Sequence, residues 1–227
     1  MKLRSFAAIA LVAVASLPGA ASAQKMLGMT ESNAWEFGIA FGDVGRAITV
    51  SRTIGTRTFA AMDKRFSVGW GLRGSLLGGD NLPHLGRDGQ GDSLLVANPG
   101  VLALNLMISG TARLNSNIEL GANLDLTGIT LGGDKRGDLH AVNAGLSGPQ
   151  TVQPTKFNAF GFGSGMHRGS MVSEVFLQYG VSSEWKMKFG YSKFWTDYNT
   201  PGIVVNGSRR FIASVNAAFV GARYTPQ

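Results

Sequence analysis

Apolar and polar residues alternate with a period of two along much of this chain. In residues 117–128 every even position is apolar, whereas the odd positions include Glu119, Asn123 and Asp125. This spacing is typical of a β-strand with one apolar and one polar face. Two arrangements produce it: a soluble sheet that packs its apolar face inward, and a membrane barrel that turns this face to lipid.

Eight segments of the chain show this alternation, and turn-forming residues separate them. The second segment is the weakest, because Arg52 interrupts its apolar row. The sequence therefore predicts an all-β protein that forms one closed, antiparallel, up-and-down β-barrel of about eight strands. The segments lie near residues 35–42, 47–54, 66–74, 101–114, 117–131, 173–181, 185–192 and 209–224.

The connections between these segments are alternately short and long. The turns at 115–117 and 182–184 are short, whereas the links at 78–100 and 132–170 are long and the link at 197–208 is intermediate. Tight turns at one end and long loops at the other are typical of outer-membrane barrels. Two connections fit poorly: GDVG is short where a long loop is expected, and GTRTFAAMDKR is long where a turn is expected.

The N-terminus has the three parts of a secretory signal peptide in order. Lys2 and Arg4 precede a short apolar run, and Ala-Ser-Ala at 21–23 fits a cleavage site. We therefore predict a signal peptide over residues 1–23 and one barrel domain over residues 24–227. The formal net charge is +7 and no cationic run is longer than two residues, so no nucleic-acid partner is expected.

Together these features resemble the small eight-stranded outer-membrane β-barrel proteins. The resemblance covers nearly all of residues 24–227 and concerns architecture alone. It implies a porin-like transmembrane barrel in the outer membrane of a Gram-negative-type envelope, in contact with outer-membrane lipid. It also implies that function lies in the loops 78–100, 132–170 and 197–208, through contact with a surface partner, adhesion or envelope integrity.

Charge balance favours the barrel whose polar rows face inward. The polar rows of the eight segments carry four acidic and four basic residues, and buried charges persist when they are paired. The predicted lumen network comprises Glu36, Arg73, Asn105, Arg113, Glu119, Asn123, Asp125, Glu174, Gln178, Lys186 and Lys188. The predicted lipid-facing residues are Phe37, Ile39, Trp70, Leu104, Leu106, Leu120, Leu124, Val175, Leu177, Met187, Phe189, Val215 and Phe219.

Two other functions stay open at this point. A soluble periplasmic barrel of the lipocalin type would turn the apolar rows inward around an apolar ligand. A lipid-modifying barrel enzyme would need a serine–histidine pair, for which His167 and Ser170 are the nearest candidates, with Asp134 and Asp138 in the same loop. The chain has no G-x-S-x-G elbow and no histidine pair with metal-ligand spacing. We therefore expect a protein that is not an enzyme and has no cofactor and no metal.

Overall fold

The computed structural model describes residues 30–59, 65–86, 91–141, 145–161, 167–203, 205 and 209–226. The predicted signal peptide lies outside these residues. None of the described segments is a helix long and apolar enough to cross a membrane. The strands are β1 (Thr30–Phe41), β2 (Gly45–Phe59), β3 (Phe66–Gly79), β4 (Leu82–Gly86), β5 (Ser93–Val96), β6 (Val101–Arg113), β7 (Ile118–Leu131), β8 (Lys135–Ala141), β9 (Leu146–Pro154), β10 (Phe157–Ala159), β11 (Met171–Gly180), β12 (Trp185–Asn199) and β13 (Arg210–Tyr224).

Eight long strands form a closed antiparallel ring. β1, β2, β3, β6, β7, β11, β12 and β13 each pair with the next, and β13 pairs back to β1. These eight strands are the eight segments that alternation predicts, which confirms the all-β antiparallel architecture. The predicted strand number is too low for the sheet as a whole, because the sheet has 13 strands.

The five additional strands lie in segments that the sequence predicts as loops. β4, β5, β8 and β9 form a ladder, here called the cap. β9 joins β12 where Pro154 pairs with Tyr198, and β4 joins β13 where Gly86 pairs with Phe211. Because β12 and β13 also pair with each other, these six strands form a second ring that shares two strands with the first. The remaining strand, β10, pairs with β7.

The two ends of the long ring differ. At one end, the turn end, lie the short β6–β7 and β11–β12 connections, the start of β1 and the end of β13. The cap lies at the opposite end, the cap end. β2 continues to Phe59, so the first five residues of the connection GTRTFAAMDKR are strand, and β3 begins directly after this connection, at Phe66.

The ring interior is apolar at the cap end. Core side chains from the cap pack against side chains from the cap-end parts of β12 and β13. Alternation on β12 disappears beyond Ser192, because residues 194–198 are buried whichever face they occupy. The wholly polar interior predicted from the sequence is therefore wrong at this end. The cluster includes Leu82, Leu94, Val96, Leu139, Ala141, Val152, Phe194, Tyr198, Phe211, Ala213 and Val215.

The predicted lipid-facing positions of Val215 and Phe219 are wrong. Both side chains are 3% exposed and point into the ring, whereas the alternate residues of β13 point outward. The Phe219 ring lies over Gly38 of the neighbouring β1, where the absence of a side chain leaves room for it. β13 carries small or apolar residues on both faces between 211 and 220, so alternation alone does not identify the inner one.

A second aromatic ring inside the barrel, that of Phe176, lies over Gly121 on the adjacent strand. We expect Gly121→Ala to lower the free energy of unfolding by about 1–3 kcal/mol, because a Cβ there overlaps the ring and the packed interior must shift. Urea unfolding in detergent micelles measures the change. Gly110→Ala is the matched control, because a Cβ at Gly110 has no atom within 4 Å. Equal stability of the two variants would contradict this packing.

Candidate functional site

A charged cluster occupies the ring interior around Arg73. Its guanidinium lies 3.3 Å from the Asp125 carboxylate and 3.0 Å from the Glu174 carboxylate, and all three side chains are at most 2% exposed. β3, β7 and β11 supply these residues, each at an inward position of the alternation. The guanidinium also donates to the Val172 carbonyl oxygen at 3.3 Å. One buried cation therefore faces two buried carboxylates.

A second cluster lies nearer the turn end around Glu36. Lys188 donates to its carboxylate at 2.7 Å, and Arg223 approaches at 3.4 Å. The Asn123 amide donates to Glu36 and to Glu174 at 2.9 Å each, so it joins the two clusters. The Lys188 ammonium also lies 3.7 Å from the centre of the Phe176 ring, which is cation–π geometry.

The network reaches the rim at the turn end. Glu119 accepts hydrogen bonds from Lys186 at 2.7 Å and from Gln178. Arg113 lies 3.7 Å from the same carboxylate, but its side chain is 57% exposed. Arg113, which the sequence places in the lumen, therefore lies at the rim in contact with solvent.

Toward the cap the network continues through amides. Asn105 donates to Asp125 at 2.8 Å, and the Asn158 amide donates to the Asn105 side-chain oxygen at 2.7 Å. Asn158 also accepts hydrogen bonds from the Thr130 hydroxyl and from the Ser170 backbone N–H. The sequence prediction missed Asn158, which lies in a segment read as a loop and gave no signal.

Arg223 was also missed, although a signal for it exists. It shares the odd-numbered inner row of β13 with Phe211 and Phe219. Once Phe219 is placed inside the ring, Arg223 follows by parity. With Arg223 in place of the half-exposed Arg113, the cations that pair within these two clusters and at the rim are Arg73, Lys186, Lys188 and Arg223. They match the four carboxylates of Glu36, Glu119, Asp125 and Glu174.

The charged side chains of this arrangement are paired with one another. Each of the four carboxylates lies within 4.0 Å of a cation, and amide groups connect the clusters. No group of three histidine or acidic side chains in the described part of the chain could hold a metal ion. His167 packs 4.9 Å from the outward-facing Trp195, whereas the Ser170 carbonyl oxygen accepts from Asn105 inside the ring. The His167 Nδ1 and the Ser170 hydroxyl oxygen are each buried without a hydrogen-bond partner, so these two residues do not form the hydrogen-bonded pair that a lipid-modifying enzyme would need.

His84 is buried at the centre of the second ring. Its Nδ1 lies 2.9 Å from the Leu82 carbonyl oxygen, which can only accept, so Nδ1 carries the proton. Its Nε2 then accepts from the Thr196 hydroxyl at 3.0 Å, and the Tyr198 ring packs edge-on at 5.1 Å. Burial without a charged partner lowers the pKa of His84 to about 4.

We expect the protein to lose stability as the pH falls from about 6.5 to about 4. Over this range the unfolded chain binds a proton at His84 and the folded chain does not, so acid favours unfolding. The full effect is about 3 kcal/mol, because one pKa unit corresponds to about 1.4 kcal/mol. Urea unfolding at pH 7 and pH 4 measures this difference.

The unfolding free energy should depend less on pH in the His84→Gln variant, because glutamine keeps polar contacts but does not titrate. We call the change of this free energy with pH the slope. His140→Gln is the control, because His140 is exposed on β8 and should leave the slope unchanged. If the unfolding free energy changed with pH equally in wild type and His84→Gln, His84 would not be the cause of the pH dependence.

The outer face of the long ring carries a belt of exposed apolar side chains. Eleven of the thirteen residues predicted to face lipid occupy outward positions of their strands; Val215 and Phe219 are the exceptions. Phe37, Ile39, Leu120, Val175, Leu177, Met187 and Phe189 are exposed, and Trp70, Leu104, Leu106 and Leu124 are half-buried. Ile48, Ile108, Ile129, Tyr179, Tyr191 and Val220 extend this outer belt.

Aromatic residues mark the edge of the outer belt at the turn end. Trp35, Tyr224 and Trp185 occupy one register row across β1, β13 and β12. The rings of Trp185 and Tyr224 are 4.8 Å apart, and the Arg52 guanidinium lies over Trp35 at 5.5 Å. Amphipathic aromatic rings with a nearby cation are enriched where a membrane surface meets water.

The chain resembles small outer-membrane β-barrel proteins. Neisserial surface protein A is 9% identical with a TM-score of 0.38, and the match covers 88% of this chain and 97% of that one. The Yersinia pestis outer membrane protein Ail is 12% identical with a TM-score of 0.36, covering 87% of this chain and 100% of that one. No family model and no curated protein matches the chain.

Proposed function

We propose that this protein is a membrane-spanning β-barrel of the outer membrane in a Gram-negative-type envelope. The outer belt carries this proposal, because apolar side chains are exposed on every strand of the long ring. On β12 the outward residues from Trp185 to Tyr191 are all exposed. With a strand tilt of about 40°, such a stretch extends about 15 Å along the barrel axis, a large part of the apolar band of about 25 Å in known membrane barrels.

A closed ring also satisfies the backbone in lipid. Every long strand has a neighbour on both sides, so the ring has no free edge whose N–H and C=O groups would be left unpaired in hydrocarbon. The turn end, with the short β6–β7 and β11–β12 connections, the start of β1 and the end of β13, would face the periplasm. The cap would face outward, as the long loops of such barrels do.

The filled interior supports a structural role for the barrel itself. Paired charges occupy the turn-end half, and the apolar cluster occupies the cap-end half. Function would therefore lie in the cap and the segments around it, through contact with a surface partner, adhesion or envelope integrity. The lipocalin-type alternative requires an apolar lumen for a ligand, whereas the structure turns the apolar rows of β1, β7, β11 and β12 outward.

Fractionation and gel mobility test this proposal. We expect the protein in the outer-membrane fraction, with a mobility in detergent gels that changes on boiling. As a control, the Arg73→Met variant, whose interior pairing is broken, should show the shift at a lower temperature. Recovery from the periplasm as a soluble, folded protein without any detergent would overturn the proposal.

A further inference from the structure

A groove of about 570 Å³ lies at the cap-end margin of the outer belt. Its apolar wall includes Ile48 and Leu76, which are outward residues of β2 and β3 and continue the outer belt. Its polar wall includes Arg46 and Lys135, at the start of β2 and of β8. The groove therefore joins the apolar outer belt, on its turn-end side, to a cationic surface on its cap-end side. We call it the rim groove.

The floor of the rim groove is largely backbone. Arg46 pairs across β2 and β3 with Gly78, and Leu77 pairs with Val101, so that Gly78 and Gly100 follow at the next step. A Cβ at either glycine would have no atom within 4 Å, which shows that the space over them is open. The missing side chains give the groove its depth between Arg46 and Lys135.

The charges that line the rim groove are two cations and one carboxylate. Asp80 lies 3.8 Å from Arg46, with side chains 78% and 68% exposed. An ion pair this exposed contributes little stability, and a stronger anion can replace it. The net charge of the lining is therefore positive at the height where, in the proposed orientation, lipid headgroups begin.

We infer that the rim groove binds the phosphate headgroup of a lipid in the leaflet that the cap faces. The phosphate would lie between Arg46 and Lys135, and an acyl chain would follow Ile48 and Leu76 into the bilayer. Charge complementarity and continuity with the outer belt identify a membrane lipid as the occupant. This inference rests on the proposed function, because a protein outside the membrane would not meet such a lipid.

Lipid titration of the folded barrel in neutral detergent micelles tests the inference. Native mass spectrometry would count bound phosphatidic acid, with phosphatidylcholine and diacylglycerol of the same chains as comparisons. We expect preferential binding of phosphatidic acid. Equal retention of all three lipids would overturn the inference. Displacement of bound phosphatidic acid by millimolar inorganic phosphate would also overturn the inference, because the acyl chain would then contribute nothing to the affinity.

Four variants separate the rim groove from general surface charge. Arg46→Ala and Lys135→Ala should each weaken phosphatidic acid binding about fivefold, the effect of about 1 kcal/mol per cation near anionic lipid. Gly78→Leu keeps both cations but fills the floor, so it should weaken binding as well. Asp80→Asn removes the competing carboxylate and should strengthen binding.

Arg209→Ala is the matched control. Arg209 is exposed at the cap end, yet it does not line the rim groove, so its removal should leave the affinity unchanged. If Arg209→Ala and Arg46→Ala weakened phosphatidic acid binding equally, the effect would depend on net charge alone, and the inference would be overturned. The proposed function is tested separately by boiling: a barrel that shows the heat-dependent gel shift but no phosphatidic acid preference remains a membrane barrel without this site.

Discussion

Replacing Arg73 with methionine should lower the free energy of unfolding by about 3–5 kcal/mol. The change removes the cation between Asp125 and Glu174 and leaves two carboxylates unpaired in a site from which water is excluded. Methionine preserves much of the side-chain volume, so the loss reports on charge and not on an empty cavity. Urea unfolding in micelles, followed by tryptophan fluorescence, measures the difference.

Arg113→Met is the matched control for Arg73→Met. Arg113 also contacts a carboxylate, that of Glu119, but it is exposed at the rim, so its loss should cost less than about 1 kcal/mol. The triple variant Arg73→Met, Asp125→Asn, Glu174→Gln should recover part of the stability, because no charge is then left without a partner. A triple variant no more stable than Arg73→Met would show that packing, and not charge, governs this site.

Val175→Arg should destabilise the protein by about 2–4 kcal/mol in lipid bilayers. Val175 is 54% exposed near the middle of β11, where the proposed membrane is deepest. A charged side chain at the bilayer midplane on the lipid face of a barrel carries this cost. Unfolding and refolding with urea in the presence of phosphatidylcholine vesicles gives the free energy directly.

Ser147→Arg tests whether the cost comes from lipid. Ser147 is exposed on β9 in the cap, outside the proposed membrane, so arginine there should change the stability by less than about 0.5 kcal/mol. If Val175→Arg proved as harmless as Ser147→Arg in vesicles, the outer belt would not be in hydrocarbon, and the membrane proposal would fail.

Alternation identified the long strands because one face of each is apolar along most of its length. Residues 118–131 illustrate this: Glu119, Asn123 and Asp125 face inward, whereas Leu120, Ala122 and Leu124 face outward. The same rule failed on β13, where both faces are small or apolar and Val215 and Phe219 were assigned to the wrong side. Periodicity gives the direction of a face only where the two faces differ in polarity.

The cap could not be predicted from alternation. Its strands are only 4 to 9 residues long, and three of the four contain glycine or proline, so none of them is long enough to show a clear alternation by itself. Their pairing depends on partners far away in the chain, such as Gly86 with Phe211. For the same reason, nothing in the local sequence around His84 indicates that this side chain is buried.

The two strands shared by both rings impose an order on folding. The cap strands β4, β5, β8 and β9 are made before β12 and β13, yet the second ring closes only through those last two strands. Contacts between residues so far apart in sequence form late and slowly. Burial of the cap should therefore be the final kinetic phase of assembly, and a chain that ends before β13 should leave its cap segments open to protease even after export.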